Sequence, residues 1–230
     1  MKIKYYIIPF FFLSINILSQ DSISIKEQCR TKYDSIFKNY FGEKFFRKNI
    51  KYDKSQSFID IYLTNNIEND PEFKRIFLNV NNLSEIQKNI KQYPKYYSDY
   101  YIYVFLYKGI IFHERTYTCE TVNKKEYFDY ENKLILNYYN KIKNKEYISP
   151  KKALKIAKIN GLKNICYQSL TSVSFHNKNQ DVWQIQDCSN EITGKIIELD
   201  PKTGKVLTLF KRDYGQSGQA AYWNLFKNRK

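Results

Sequence analysis

The pattern of apolar and polar residues changes near residue 149, where a helical period begins and soon gives way to a strand period. From Ala153 to Ile159 the apolar residues fall on one stripe of a helix. Ser149 precedes this stripe as an N-cap, with a proline at the first helical position. Gly161 follows it, where helices often end in a left-handed residue. The sequence therefore predicts an amphipathic helix from about 150 to 160.

Beyond Gly161 apolar and polar residues alternate, as in strands with one buried face. Turn-forming residues at 176–179 separate the first two strands. Residues 200–204 (DPKTG) separate the last two, since Asp can cap its own turn and Gly accepts a positive φ. We therefore expect a helix packed on an antiparallel four-stranded sheet, with strands at 165–175, 182–186, 195–199 and from 206.

The first hairpin also predicts a disulfide. If the hairpin turns about Asn177, Trp183 lies opposite Thr171, and Cys166 lies opposite Cys188 on the polar face. A bridge there would close a loop of about twenty-odd residues and stabilise the fold by about 3 kcal/mol in the chain-entropy model. We therefore expect a cross-strand bridge between Cys166 and Cys188.

Three segments of this region carry a family resemblance: 149–157 (SPKKALKIA), 182–185 (VWQI) and 194–207 (GKIIELDPKTGKVL). Together they resemble the PepSY domain, which pairs a helix opening S-x-x-x-A with an aromatic-containing strand and a closing V-D-x-x-T-G-x-V segment. The long first hairpin and its two cysteines depart from the pattern. The resemblance covers about residues 148–212 and implies binding or restraint of another protein, because the family occurs in peptidase propeptides and envelope regulatory proteins.

The preceding residues predict a second α+β region, at 20–146. A capping box at Ser24 starts a helix to Tyr40 or Phe46, which Gly42 ends or interrupts. A hairpin is indicated around Lys108-Gly109. The further expected elements are a strand at 57–64, a helix or strand at 73–80, a short helix from Ser84, strands at 100–107 and 110–118, and a tyrosine-faced helix at 125–145. No repeat links the two halves of the sequence.

The first nineteen residues have the pattern of a secretory signal peptide. Lys2 and Lys4 precede an apolar centre, and Ser19 provides a small residue before the expected cleavage site. The alternative is a permanent membrane anchor, which Pro9 and the shortness of the apolar run disfavour. We therefore expect an exported protein, periplasmic or secreted, whose mature chain starts at Gln20.

The chain is basic, with a formal net charge of +15 that falls to +13 once Lys2 and Lys4 are removed. Such a charge is compatible with binding to nucleic acid, acidic polysaccharide or anionic lipid. Compositional drift explains it as well, because Lys, Asn, Ile and Tyr are abundant throughout and the lysines form no long run. We favour drift and keep an anionic surface as an alternative partner. Nucleic acid is an unfavoured partner, because an exported protein rarely meets it.

All four cysteines lie beyond the signal segment. An oxidising compartment favours disulfides over metal ligation. If Cys166 pairs with Cys188, then Cys29 is left to pair with Cys119.

Aromatic side chains supply the candidate partner-binding residues. Tyr101, Tyr103 and Tyr107 share one face of a predicted strand, and tyrosine is favoured at contact surfaces. Trp183 lies in the predicted second strand of the C-terminal sheet. The alternative, which we prefer for the tyrosines, is that they fill the core beside the 125–145 helix. Trp183 belongs either to the core or to a binding face.

The sequence predicts neither catalysis, nor a cofactor, nor a metal site. Its two histidines, His113 and His176, lack the spacing of a zinc helix and are interpreted as ordinary histidines. His113 and Cys119 have no evident third group to orient them as a catalytic pair. Phosphate-binding glycine loops and nucleophile motifs are absent from the sequence.

The combined interpretation is a signal peptide (1–19), an N-terminal α+β region (20–146), a PepSY-like domain (147–212) and a tail (213–230). We expect a non-catalytic exported protein that binds or restrains a partner protein, possible partners including a peptidase. The alternative is a surface protein that binds polyanions or glycans through a basic, tyrosine-rich face. The tail, with Gly215 and Gly218 before an aromatic run, either packs on the domain or forms a docking peptide.

Overall fold

The structure, a computed structural model, describes residues 17–62, 73–78, 88, 97–175, 178–188 and 193–213. These residues contain four α-helices and nine β-strands. The helices are α1 (Ile17–Phe41), α2 (Glu43–Asn49), α3 (Lys125–Lys143) and α4 (Pro150–Ile159). The strands are β1 (Ile50–Tyr52), β2 (Phe58–Tyr62), β3 (Phe73–Phe77), β4 (Tyr97–Tyr107), β5 (Ile110–Tyr117), β6 (Ile165–Phe175), β7 (Lys178–Asp187), β8 (Thr193–Leu199) and β9 (Val206–Asp213). A short 3-10 helix, Cys119–Asn123, follows β5.

The strands form two antiparallel sheets. In the first sheet, β1 and β2 pair with successive stretches of β4, while β3 adds to β2 and β5 pairs along β4. In the second sheet, the strands follow the chain order β6-β7-β8-β9. The predicted fold class is confirmed: the protein is α+β, and its C-terminal half has a helix with a four-stranded antiparallel sheet.

One hydrophobic core joins the helices to both sheets. Phe37 of α1 packs its ring 4.9 Å from that of Tyr103 on β4. Ala153 and Ala157, small residues on the buried stripe of α4, belong to the same core as Trp183 on β7. The helical periodicity of the sequence therefore serves a core that is shared by the two halves of the chain.

The two sheets meet where β5 lies beside β6, a contact that we call the seam. Side chains bridge it: His113 Nδ1 lies 2.8 Å from the carbonyl oxygen of Leu170, and the Glu114 amide donates to Ser169 Oγ at 3.4 Å. Among the described strands, β5 and β6 do not pair through a ladder of backbone hydrogen bonds. The seam is therefore bridged by side-chain hydrogen bonds.

Helix α3 spans the seam. Glu131 pairs with Arg115 of β5, with 3.0 Å between Oε1 and Nη2. Further along the helix, the Tyr138 hydroxyl donates to Asp181 of β7 at 3.1 Å. The same helix thus holds a strand of each sheet.

The local signals at both ends of α4 are confirmed. Ser149 caps the helix by accepting a hydrogen bond from the Lys152 amide, and Pro150 occupies its first turn. Gly161, with a φ of +88°, takes the left-handed conformation expected after the helix. In the β8–β9 turn, Asp200 Oδ1 accepts hydrogen bonds from the Lys202 and Thr203 amides.

The predicted register of the first hairpin is wrong by one residue. Trp183 lies opposite Leu170, not Thr171, because Phe175 pairs with Lys178 and leaves only two residues between the strands. The register then shifts between Ile165 and Tyr167, so a bulge absorbs Cys166. The shift moves the pairing one residue further from the predicted register, yet the Cα atoms of Cys166 and Cys188 still lie 5.8 Å apart in the disulfide.

The polar surroundings expected for Cys166 are also wrong. Its side chain is buried with Phe58 and Ile102 of the first sheet. Partly buried aromatic residues, Phe77, Tyr100 and Tyr167, pack against this second cluster. The Cys166–Cys188 bridge therefore contributes to a small apolar contact between the two sheets, which the hairpin alone could not predict.

In the N-terminal half the structure changes one helix boundary and resolves one ambiguity. Helix α1 begins at Ile17, so Ser24 lies within it and is not its N-cap. Gly42, with a φ of +83°, separates α1 from α2, and Phe73–Phe77 is a strand. The predicted loop at 65–71, the helix from Ser84, the His176 turn and the tail lie outside the described residues. Within the described part, every helix is too short or too polar to cross a membrane.

We expect Gly204→Ala to destabilise the protein by about 2 to 3 kcal/mol. Gly204 has a φ of +82°, and a Cβ there would lie 2.6 Å from Ile156 Cδ1 of α4. Both the strained backbone and the overpacking act against folding. Urea denaturation measures the loss.

Gly109→Ala is the matched control for this variant. Gly109 has a similar φ of +80°, but a Cβ at this position would have no atom within 4 Å. Only the backbone cost of about 1 kcal/mol should remain. Equal losses in the two variants would show that the contact between the β8–β9 turn and α4 is not tightly packed.

Candidate functional site

Three of the four candidate partner-binding residues are core residues. Trp183 and Tyr103 are fully buried, and Tyr101 is buried almost as completely. The Tyr103 hydroxyl donates to Asp34 of α1 at 2.8 Å, so α1 covers this face of β4. Trp183, Tyr101 and Tyr103 therefore offer no surface to a partner, so their prediction as partner contacts is wrong.

Tyr107 lies at the rim of the same aromatic face. Its side chain is half-buried, and its ring centroid lies 5.5 Å from that of Tyr139 on α3. The Lys108 ammonium approaches the ring to 5.6 Å. Of the tyrosines proposed as contacts, Tyr107 is the one that keeps an accessible edge.

His113 forms part of the seam. Because the Leu170 carbonyl can only accept, Nδ1 carries the proton, while Nε2 has no hydrogen-bond partner among the described residues. Burial lowers the pKa of His113 to about 4, although the Leu170 hydrogen bond opposes the shift. Ser169 Oγ lies 3.1 Å from Nδ1, but both residues are buried. A nucleophilic reaction at this pair would need access that the core denies.

Both disulfides expected from the sequence are present. Cys29 of α1 joins Cys119 at the start of the 3-10 helix, and Cys166 joins Cys188. Asp99 lies close to the first bridge, where its carboxylate accepts from the Cys119 amide at 3.1 Å and from the Tyr101 hydroxyl at 3.1 Å. The sulfur atoms are bonded to each other and the carboxylate is hydrogen-bonded, so this cluster ties α1 to the end of β5.

A depression of about 510 Å³ lies along α1 and the first turn of α2. Two of its charged groups already have partners: Glu43 pairs with Arg47 at 2.6 Å, and Asp34 accepts from Tyr103. An open surface whose carboxylates are already engaged gives little reason to expect a specific ligand there.

The exposed apolar residues of the described chain concentrate on β9. Leu207, Leu209 and Phe210 are 38%, 50% and 42% exposed. The other large apolar side chains that stand out, Tyr40, Tyr130 and Ile159, are scattered over three helices. Isolated exposed side chains are common, whereas a run of them on one strand indicates a contact surface.

Strand β9 is also an edge of the second sheet among the described strands. Leu209 lies opposite Ile197 and Phe210 opposite Ile196, so consecutive apolar residues face opposite sides of the sheet. The register shifts at Leu207, between the pairs formed by Glu198 and Leu199. We take the outer edge of β9, with Leu207, Leu209 and Phe210, as the candidate site and call it the β9 edge.

The sequence carries one signal for this site, although the residues predicted as partner contacts do not include it. In the run 206–210 (VLTLF) the apolar residues do not keep to one face, as they should in a strand with one side in solvent. An edge strand with apolar residues on both faces is a recognised hazard for unwanted pairing. The edge position itself depends on strand order, which the sequence alone leaves undetermined.

The C-terminal half combines exposed lysines with internally bonded carboxylates. Asp181 accepts from Tyr138 and Tyr147, and Glu198 from Gln184 and Thr208. By contrast, α4 exposes four lysines that form no salt bridge with a described residue: Lys151, Lys152, Lys155 and Lys158. The lysines of α4 therefore give this half a positively charged exterior surface.

We expect His113→Gln to reduce the pH dependence of stability. The pKa of a histidine is about 6.5 when exposed and about 4 here, so the unfolded state binds the proton more strongly between these values. The loss of stability caused by protonation of His113 should be absent above about pH 6.5. Between about pH 7 and about pH 5, the free energy of unfolding of the wild-type protein should fall by about 2 kcal/mol. Urea denaturation of both proteins at the two pH values measures the difference.

His176→Gln serves as the control, because it removes the only other histidine. It should retain the wild-type dependence on pH. A His113→Gln variant with the same pH dependence as wild type would contradict the buried, neutral state assigned to His113.

Comparison with known proteins finds no matching family model, curated protein or solved structure. The resemblance to the PepSY domain therefore stays a prediction, based on the three segments described above.

Proposed function

We propose that this is an exported, non-catalytic protein that binds an extended segment of a partner protein at the β9 edge. The observation that carries the proposal is the exposure of Leu207, Leu209 and Phe210 along one edge strand. An added strand hydrogen-bonds to the open backbone groups of an edge, and its alternate side chains pack beside those of the host. The β9 edge offers both kinds of contact.

The disulfides and the sequence resemblance support the remaining parts of the proposal. Two disulfides are compatible with an oxidising compartment, and a signal peptide at residues 1–19 would deliver the chain there. PepSY-like proteins include peptidase propeptides, so a peptidase is the partner class that we favour. Restraint of a peptidase would follow if the bound segment borders its active site.

We expect Leu209→Ser with Phe210→Ser to abolish binding of extended peptides while the protein stays folded. Both side chains are about half exposed, so their removal should cost little stability but should remove the apolar contacts of an added strand. Selection of peptides from a random library by the oxidised full chain supplies the ligands, and fluorescence anisotropy measures their affinity. If a selected peptide matches a segment of an exported peptidase, the rate of that peptidase with and without the protein tests restraint directly.

Ile159→Ser is the matched control, because Ile159 is 73% exposed but lies on α4. It should bind the selected peptides as wild type does. Peptides that bind the double variant and wild type equally would place the binding site elsewhere and refute the proposal.

A second candidate function is supported by the lysines of α4. Lys151, Lys155 and Lys158 lie within about a sixth of the circumference of the helix, and Lys152 extends this face to about a third. Such a concentration of positive charge, without paired carboxylates among the described residues, attracts a polyanion such as an acidic polysaccharide. This alternative uses a different surface from the β9 edge, so the two can be tested separately.

If the alternative holds, Lys155→Glu with Lys158→Glu should weaken binding to heparin, used as a model polyanion, by at least about tenfold. Lys44→Glu with Lys48→Glu on α2 makes the same charge change on another exposed surface and should have a smaller effect. Binding should also weaken steeply as salt rises, because exposed charges are screened. Salt-independent binding, or equal loss in both variants, would exclude a specific α4 site.

A further inference from the structure

We infer that the partner segment carries an acidic residue opposite Lys211 and an apolar residue two positions away, opposite Leu209. This inference rests on the proposed function of the β9 edge and specifies the chemistry of its partner. The residues involved belong to one row across the second sheet and to the row next to it on the same face.

The first row runs from Asp187 through Lys195 to Lys211. Lys195 lies opposite Asp187 on one side and opposite Lys211 on the other, so the two lysines are directly cross-strand neighbours. Like charges in this position destabilise a sheet. Asp187 is buried, and its carboxylate accepts hydrogen bonds from the Lys163 and Asn164 amides. Part of its charge is therefore engaged away from the lysines.

Lys211 is the last residue of this row before the open edge. Both lysines are exposed, and neither forms a salt bridge with a described residue. A strand added to β9 would place one side chain opposite Lys211 on the same face. A carboxylate there would meet Lys211 directly and lie one strand further from Lys195, which would offset the repulsion between the two.

The neighbouring row sets the spacing of the motif. Leu209 precedes Lys211 by two residues, so its side chain lies on the same face. Half of Leu209 is exposed although its cross-strand partner, Ile197, is fully buried. An apolar residue opposite Leu209 would cover it. Acidic and apolar residues separated by one position therefore define the expected partner segment.

The chain's own tail is a poor match to this requirement. Residues 214–230 follow β9 directly, but they contain no Asp or Glu and end with Lys227, Arg229 and Lys230. Placing them beside Lys211 would add positive charge to a row that already has an excess. Charge complementarity thus favours an acidic segment from another protein.

The test uses the full oxidised chain and three synthetic peptides of about eight residues, a common strand length. Each peptide is built from Thr and Val with one Leu, and the position two residues from the Leu holds Asp, Asn or Lys. We expect the Asp peptide to bind about 3- to 10-fold more tightly than the Lys peptide, with the Asn peptide between them. Fluorescence anisotropy at low ionic strength gives the three dissociation constants.

Lys211→Glu should reverse this order, so that the Lys peptide binds most tightly. Lys44→Glu on α2, a change of the same charge on an exposed residue, should preserve the wild-type order. Both variants alter exposed side chains, and circular dichroism checks that they stay folded. Reversal by Lys211→Glu alone supports the inference.

The other outcomes separate this inference from the proposal beneath it. If all three peptides bind equally and the double variant Leu209→Ser with Phe210→Ser binds none of them, the acidic motif is overturned but the β9 edge remains the site. If none of the three peptides binds, and no library peptide loses affinity when β9 is altered, both the inference and the proposed function are overturned. A dimer in light scattering that Leu209→Ser dissociates would assign the edge to a second copy, and tighter peptide binding after Trp223→Ser would assign it to the tail. Either result would also overturn the inference.

Discussion

The arrangement of the molecule depends on how the seam between β5 and β6 satisfies its polar groups. Two strands placed side by side without a ladder would leave buried amides and carbonyls without partners, which costs free energy. His113 provides a donor for the Leu170 carbonyl, and Ser169 provides an acceptor for the Glu114 amide. Helix α3 then covers the seam and binds both sheets through Glu131 and Tyr138. A buried, neutral histidine thus helps two separate ladders share one core.

The sequence could predict the elements whose signals are local. Ser149, Gly161 and the Lys108-Gly109 turn act within a few residues of themselves, and all three have the expected conformations. The predicted register of the first hairpin failed because only two residues separate its strands, and the bulge at Cys166 shifts the pairing by one further residue without separating the two cysteines. The site residues failed for a longer-range reason. Whether Trp183 is covered, or the β9 edge left open, depends on helix packing and strand order that no local pattern encodes.

Burial of carboxylates gives the C-terminal half its surface character. Asp187 and Glu198 are buried and Asp181 is partly buried, and all three carboxylates accept hydrogen bonds that hold strands and helices together. The lysines lie outside, including the neighbouring pair Lys195 and Lys211 near the open edge. The basic composition of the chain is therefore expressed on the surface of this half, and β9 combines positive charge with exposed apolar side chains. Both properties favour contact with an extended acidic segment.

The order of the two disulfides along the chain has a consequence for biogenesis. The first cysteine in the sequence is joined to the second, Cys29 to Cys119, and the third is joined to the fourth, Cys166 to Cys188. A polypeptide that enters an oxidising compartment from its N-terminus exposes these thiols in the same order, with each native mate the first to become available after its predecessor. Oxidation concurrent with translocation would then produce both native links with a thiol oxidase alone, without the help of a disulfide isomerase.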